Sequence, residues 1–310
     1  MSGEAQTIAA IFPGQGAQTV GMLGELAQSQ PSIKQRFAEA SEVLGFDLWA
    51  MTQDGPADVL GQTENTQPAL LTASVCLWDL WSGATDKVGQ MAGHSLGEYS
   101  ALVCAGAMSF SDGVALVRKR GELMTAAVPN GQGSMAAVLG LDDDAIAQCC
   151  AEVSGVVSAA NFNAPGQVVI AGETAAVLAA IEACKAAGAK RAVPLEVSGP
   201  FHSELMRPAA DEFAQALDQV QWSLPAIPVY QNVHGQPAQS VAELKDLLIQ
   251  QLYSPVRWTT CVQALIDAGT EQFVECGPGN VLAGLVKRIS RATPTLGLAS
   301  ADGVSAVNEL

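Results

Sequence analysis

The stretch Met91-Ala92-Gly93-His94-Ser95-Leu96-Gly97-Glu98-Tyr99-Ser100 constrains this chain more than any other. It holds a Gly-x-Ser-x-Gly pattern centred on Ser95. The short extended segment Lys87-Val88-Gly89-Gln90-Met91-Ala92 precedes it, and small and apolar residues from Glu98 to Ala105 follow as an expected helix. Strand, sharp turn, helix is the context that gives the pattern chemical meaning. A serine hydroxyl is a weak nucleophile. It must stand clear of the backbone, beside a base that takes its proton and near amide N–H groups that receive a developing oxyanion. Gly93 and Gly97 leave out the Cβ atoms that would collide across so tight a bend. The same five residues also fit an ordinary Gly/Ser turn. Whether the rest of the chain supplies a base separates the two readings.

The chain has three histidines. His94 adjoins Ser95 in the turn, where neighbouring side chains point apart, and His234 lies in the polar loop Asn232-Val233-His234-Gly235. His202, in Pro200-Phe201-His202-Ser203, follows a Gly-Pro turn at a domain junction, where a loop can be aimed at a cleft. It is the candidate general base, although a structural histidine fits the same place. In α/β-hydrolases an acid stands between the serine and the histidine in chain order. Here the acids between Ser95 and His202 fall on expected helices or in an insert, which leaves a carbonyl to orient the His202 ring.

Two further groups suit the chemistry. Arg118, Lys119 and Arg120 share the middle of a helix expected from Asp112 to Ala126 and capped by Ser111. Arg118 and Lys119 suit a solvated face. Arg120 stands before Gly121 near the apolar side, where a guanidinium is costly unless it meets an anion, and its fork fits a substrate carboxylate. At the other end, the apolar run Thr7-Ile8-Ala9-Ala10-Ile11-Phe12 reads as a buried strand, stopped by Pro13 and followed by Gly14-Gln15-Gly16-Ala17-Gln18. That loop lacks the Lys-Ser/Thr of a phosphate-binding loop and the spacing of a dinucleotide fingerprint. Facing the Ser95 turn, it would instead complete an oxyanion hole, with Gln15 as donor.

Residues 131–197 read strand, helix, strand, strand, helix, strand, a ferredoxin-like β-α-β-β-α-β unit bracketed by Gly131-Gln132-Gly133 and Ser198-Gly199-Pro200. The expected architecture is therefore α/β: an α/β-hydrolase-like domain with a parallel sheet over residues 1–130 and 198–310, interrupted by this insert. A cleft between the two is the natural substrate site. The helix expected from Gln67 to Trp81 is apolar almost all round and belongs in the core. Gly277-Pro278-Gly279 opens another helix, as a tight packing turn or a phosphate site, and the tail after Thr293 is weakly patterned and expected to attach loosely.

Charge and cysteines narrow the function. A net charge of −16 disfavours nucleic acid or anionic membrane as a bulk partner. Seven cysteines, an odd number without metal-like spacing, fit a reducing compartment, the cytoplasm. Met1 to Gln6 carries no basic run, and no apolar stretch approaches the ~18–20 residues of a membrane span. Nothing in the sequence suggests a coiled coil or a swapped element, so a monomer is expected. The readings left open are a serine esterase or thioesterase, an acyltransferase, and a non-catalytic scaffold.

Taken together, the motifs resemble the malonyl-CoA:acyl carrier protein transacylases of bacterial fatty-acid synthesis, from Ile11 to about Arg288. The resemblance rests on Phe12-Pro13-Gly14-Gln15-Gly16-Ala17-Gln18, Gly93 to Ala101, Lys119-Arg120-Gly121, Asn161-Phe162-Asn163-Ala164-Pro165-Gly166-Gln167, His202, Gln251-Leu252-Tyr253 and Gly277-Pro278-Gly279. It implies that Ser95 is acylated by malonyl-CoA and that His202 activates it. It also implies an oxyanion hole from the N–H groups of Gln15 and Leu96, an Arg120 clamp on the free carboxylate, and a Gln251 carbonyl that orients His202. The implied partners are malonyl-CoA, CoA and the acyl carrier protein, in ping-pong order, with no cofactor and no metal. Phe201 stands where related polyketide acyltransferase domains that choose malonyl carry Phe, so service to a polyketide pathway stays open. Asn280 replaces a commonly basic residue. Lys185, Lys190 and Arg191, with Lys287, Arg288 and Arg291, are the clusters available to an acidic carrier, or ordinary solvated side chains.

Overall fold

A computed structural model describes residues 7–310; Met1 to Gln6 lie outside the described residues. The apolar run near the N-terminus forms β1 (Thr7–Phe12), paired in parallel on one side with β2 (Val88–Gly93). Ala9, Ala10, Ile11 and Phe12 are fully buried, because both faces of this strand are covered. The side-chain period of two then divides it: Ala10 and Phe12 join the larger core, Ala9 and Ile11 the smaller core around Trp258 and Phe273.

The next strands are β3 (Gly133–Leu139), β4 (Val157–Ala164), β5 (Gln167–Glu173) and β6 (Arg191–Pro194). They form a separate antiparallel sheet in the order β4-β5-β3-β6. One face, with Val138, Val168 and Ile170, packs on the helices Asp143–Glu152 and Thr174–Ala186. The alternate residues Met135, Val169 and Ala171 face the main core instead. Two backbone bonds, from Phe162 N–H to the Val256 carbonyl and from Val256 N–H to the Ala160 carbonyl, both 2.9 Å, fasten β4 to the main body.

Strands β7 (Val229–Tyr230), β8 (Thr270–Glu275) and β9 (Thr295–Gly297) complete a parallel sheet in the order β7-β2-β1-β8-β9. The architecture is thus mixed α/β with a parallel sheet. The helix Thr63–Leu80 starts earlier than expected and is buried over most of its length. Among the described residues no helix is long and apolar enough to cross a membrane.

Two further details depart from the sequence reading. The helix carrying Arg120 runs Phe110–Ala126 and is capped by Ser109, whose Oγ accepts from Asp112 N–H at 3.0 Å, rather than by Ser111. The tail is integrated rather than loose. β9 adds an edge strand to β8, and the helix Ala301–Asn308 buries Val304 and Val307 while its Asn308 Oδ1 accepts from Ser82 N–H at 2.7 Å. Only a short strand and two valines three residues apart carry this docking, too little periodicity to be read in advance.

Candidate active site

β2 ends at Gly93 and the helix Leu96–Cys104 begins two residues after His94, so the chain reverses around Ser95, at φ 52° and ψ −108°. A Cβ on Gly93 would lie 1.9 Å from the Gly97 carbonyl carbon, and one on Gly97 would lie 2.0 Å from the Phe12 carbonyl oxygen. Backbone touches backbone at both places, so only glycine fits. The loop after β1 closes on the same turn: a Cβ on Gly14 would lie 2.4 Å from the His94 carbonyl oxygen. This sets Gln15 beside the turn. Leu96 is the first residue of the helix, a position whose N–H has no intrahelical acceptor.

His202 Nε2 lies 2.7 Å from Ser95 Oγ, and its Nδ1 lies 2.7 Å from the Gln251 carbonyl oxygen. A carbonyl only accepts, so Nδ1 carries the proton and Nε2 is left to accept from the serine hydroxyl. Burial, with the charge of Arg120 second, pushes the His202 pKa down to about 3. The ring is therefore neutral across the ordinary pH range, the state a general base requires. Among the described residues no carboxylate is hydrogen-bonded to His202; its Nδ1 meets the Gln251 carbonyl instead.

Arg120 is 1% exposed. Its Nη1 donates to Gln67 Oε1 at 2.9 Å, and its Nη2 donates to Gln251 Oε1 at 2.8 Å and to Ser95 Oγ at 3.2 Å. Its guanidinium carbon sits 5.1 Å from the Tyr99 ring centre. Every one of these partners is uncharged, so an entering carboxylate would meet a buried cation without displacing an acid. The neighbours of Arg120 behave differently: Arg118 pairs with Glu122 at 2.8 Å and Lys119 is exposed.

These groups converge on a cavity of about 190 Å³. Gln15, Ser95, Leu96, Arg120 and His202 line it from the main body; Met135, Asn161, Asn163 and Val169 close it from the antiparallel sheet, and Phe201 narrows it. Gln251 stands behind this wall, 1% exposed, bracing His202 with its backbone and Arg120 with its side chain. Of the other histidines, His234 is exposed. His94 turns from Ser95 toward Asn163 Oδ1, 2.7 Å away, and its ring sits tilted against that of Trp258; burial lowers its pKa. Among the described residues no cluster of three or more His, Cys, Asp or Glu is arranged to hold a metal ion.

Sequence reasoning passed over several side chains of the site. Asn232 bonds the elbow on both sides of His94, Gln67 and Asn163 hold Arg120 and His94, and the fully buried Glu98 accepts from Asn232 N–H at 2.6 Å. Burial pushes the Glu98 pKa up to about 8. Asn163 and Glu98 do fall within the quoted motifs, but nothing in their spacing marks a role. The second glycine-rich turn is a packing turn: a Cβ on Gly277 would strike Pro13, and Glu275 already accepts from Leu282 and Ala283 N–H at 3.0 and 2.8 Å.

The family described as acyl transferase domain matches residues 10–303. A protein of Salmonella typhimurium named malonyl CoA-acyl carrier protein transacylase is 55% identical over 282 residues, covering 90% of this chain and 91% of that protein. The crystal structure of an acyl carrier protein S-malonyltransferase from Vibrio cholerae superposes with a TM-score of 0.94 at 52% identity, over 97% of this chain and 99% of the other. A malonyl-transacylase solved in complex with a type II PKS acyl-carrier protein superposes with a TM-score of 0.95 at 49% identity, over 98% and 99% of the two chains. With the match running through both sheets and every motif of the site, the chain belongs to the acyl transferase domain family.

Proposed function

We propose that this chain moves the malonyl group of malonyl-CoA to the phosphopantetheine thiol of an acyl carrier protein, through a malonyl ester on Ser95, and so supplies fatty-acid elongation. The observation that carries the substrate choice is Arg120: a buried guanidinium with uncharged partners, 3.2 Å from the nucleophilic oxygen. A neutral acyl group has no use for it. The free carboxylate of a malonyl thioester would engage the fork while its thioester carbonyl reaches Ser95.

In the first half-reaction His202 Nε2 takes the proton of Ser95 Oγ as oxygen attacks the thioester carbonyl. The developing oxyanion is received by the N–H groups of Gln15 and Leu96. Collapse breaks the C–S bond, and His202 returns its proton to the departing CoA thiolate. In the second half the carrier's thiol gives its proton to His202 and attacks the malonyl ester; collapse breaks the ester C–O bond, and His202 returns the proton to Ser95 Oγ, regenerating the hydroxyl. The Gln251 carbonyl holds the imidazole in one tautomer throughout.

Residues 131–197 act here as a ferredoxin-like insert on an α/β-hydrolase-like domain formed by residues 1–130 and 198–310, covering the cleft. The strand order β4-β5-β3-β6 with two helices on one face supports that reading. The exposed cations Lys190 and Arg191 on this insert, and Lys287, Arg288 and Arg291, offer an acidic carrier a footing on a chain of net charge −16. Action as a monomer in the cytoplasm completes the proposal. Intact-protein mass after brief exposure to malonyl-CoA tests it. A malonyl adduct on the wild type that is lost in Ser95→Ala and discharged by holo carrier protein is expected; a wild type that takes up nothing overturns it.

A further inference from the structure

We propose that Asn232, a residue outside the cavity, is a positioning residue that sets the attack geometry of Ser95 by clamping the elbow on both sides. The proposal rests on the reading of Ser95 as the acylated nucleophile.

Ser95 occupies a backbone region that a residue with a side chain rarely adopts, at φ 52° and ψ −108°. Such a conformation persists only where its surroundings over-determine it. The restraint comes from Asn232, which is fully buried. Its Oδ1 accepts from Ser95 N–H at 2.7 Å and its Nδ2 donates to the Gly93 carbonyl at 2.7 Å. One backbone partner is a donor and the other an acceptor, so only one orientation of the amide satisfies both. A single rigid side chain thus spans the residues before and after His94.

The topology explains why a side chain is needed there. β7 pairs with β2 only at Met91↔Val229 and Ala92↔Tyr230, and its ladder stops before Gly93. The carboxamide of Asn232 takes over where the backbone ladder ends, acting as one more peptide unit at the edge of the elbow. Asn232 is itself held by the helix it helps to start: its N–H donates to Glu98 Oε2 at 2.6 Å, three residues beyond Ser95. The Ser95 carbonyl is taken by Gln251 Nε2 at 3.1 Å. Two side-chain amides from distant parts of the chain therefore hold the two backbone groups of the nucleophile. Asn232 touches no cavity surface, so it acts through Ser95 and not on substrate.

The test separates positioning from binding. The rate of malonyl-Ser95 formation is followed by rapid quench and intact mass for the wild type, Asn232→Ala and Asn232→Asp. The Kd of malonyl-CoA is measured for the same changes in a Ser95→Ala background, which keeps the backbone N–H. A displacement of the attacking oxygen by about 1 Å costs about 10²-fold, so Asn232→Ala is expected to slow acylation by that order with Kd unchanged. Asn232→Asp keeps the oxygen that accepts from Ser95 and loses the nitrogen that donates to Gly93, and is expected to fall between. It carries the test by the same criterion if Asn232→Ala does not fold. Acylation at the wild-type rate, or a loss of rate matched by an equal loss of affinity, overturns the proposal. If the wild type takes up no malonyl group, the transferase reading fails; labelling of Ser95 by a fluorophosphonate, which needs no carboxylate site, then tests Asn232 alone, with equal rates in wild type and variant again overturning it.

Discussion

Replacing Arg120 with alanine separates recognition of the carboxylate from the rest of catalysis. In the wild type the guanidinium is buried and bonded to Gln67, Gln251 and Ser95 Oγ, all uncharged. Truncating one partner of a buried, hydrogen-bonded charge pair costs about 2–5 kcal/mol. At about 1.4 kcal/mol per tenfold, kcat/KM for malonyl-CoA should fall roughly 30- to 4,000-fold. An acetyl group carries no charge to lose, so acetyl-CoA should register only the loosening of Gln251 and Ser95, a drop of about tenfold or less, comparable to one lost hydrogen bond between neutral groups. The quantity to measure is therefore the malonyl-to-acetyl ratio, from single-turnover loading of Ser95 followed by mass. Arg120→Lys should recover part of it, because an ammonium supplies charge without the planar fork. Equal losses for the two acyl groups would show Arg120 to be a structural brace of the site, and the substrate assignment would fall with it.

The cavity wall, the base and the tail make their own predictions. Phe201 is 7% exposed and narrows the cavity, so Phe201→Ala should improve the selectivity for 2-methylmalonyl-CoA over malonyl-CoA by about 1–3 kcal/mol, the worth of one methyl group; an unchanged ratio in a competition assay refutes its role as a gate. His202 has its pKa held down to about 3, below the 6.5 of an ordinary histidine, so the unfolded chain binds the extra proton. Its contribution to stability is full above pH 6.5 and is lost as pH falls toward 3, with a slope of at most about 1.4 kcal/mol per pH unit. His202→Gln should therefore show a shallower acid-side decline in Tm than the wild type, and parallel curves would contradict the burial argument. Val307 is fully buried in the C-terminal helix, so Val307→Asp should cost about 3 kcal/mol or more in urea unfolding, through a buried unpaired charge and lost packing; an unaltered midpoint would mean the tail is not docked.

What could be read from the chain in advance divides along a physical line. β1 was legible because six consecutive apolar residues fit only a strand covered on both faces. The elbow was legible because its tight approaches admit no Cβ at Gly93 or Gly97, which restricts residue type at fixed spacing. His202 could be reached because there are three histidines and the other two are placed badly for the task. Arg120 stood out because an arginine on the apolar side of a helix is expensive without a purpose. In each case a local cost leaves a mark in the local sequence.

The side-chain amides around the site carry no such mark. Gln67, Asn163, Asn232 and Gln251 are neutral amides, each bonded to a group between 19 and 156 positions away. Their burial is tolerable only because tertiary structure supplies both donor and acceptor, and that information is absent from any window of the sequence. The family resemblance points to Gln251 only for its backbone. Its side chain does as much, since Oε1 receives Arg120 and Nε2 holds the Ser95 carbonyl, tying Arg120 to Ser95 through one residue. In the proposed reaction a serine, a histidine and an arginine name the chemistry. The Asn232 amide reaches Ser95 and Gly93 but not Arg120, which is why its loss should slow acylation while leaving substrate affinity in place.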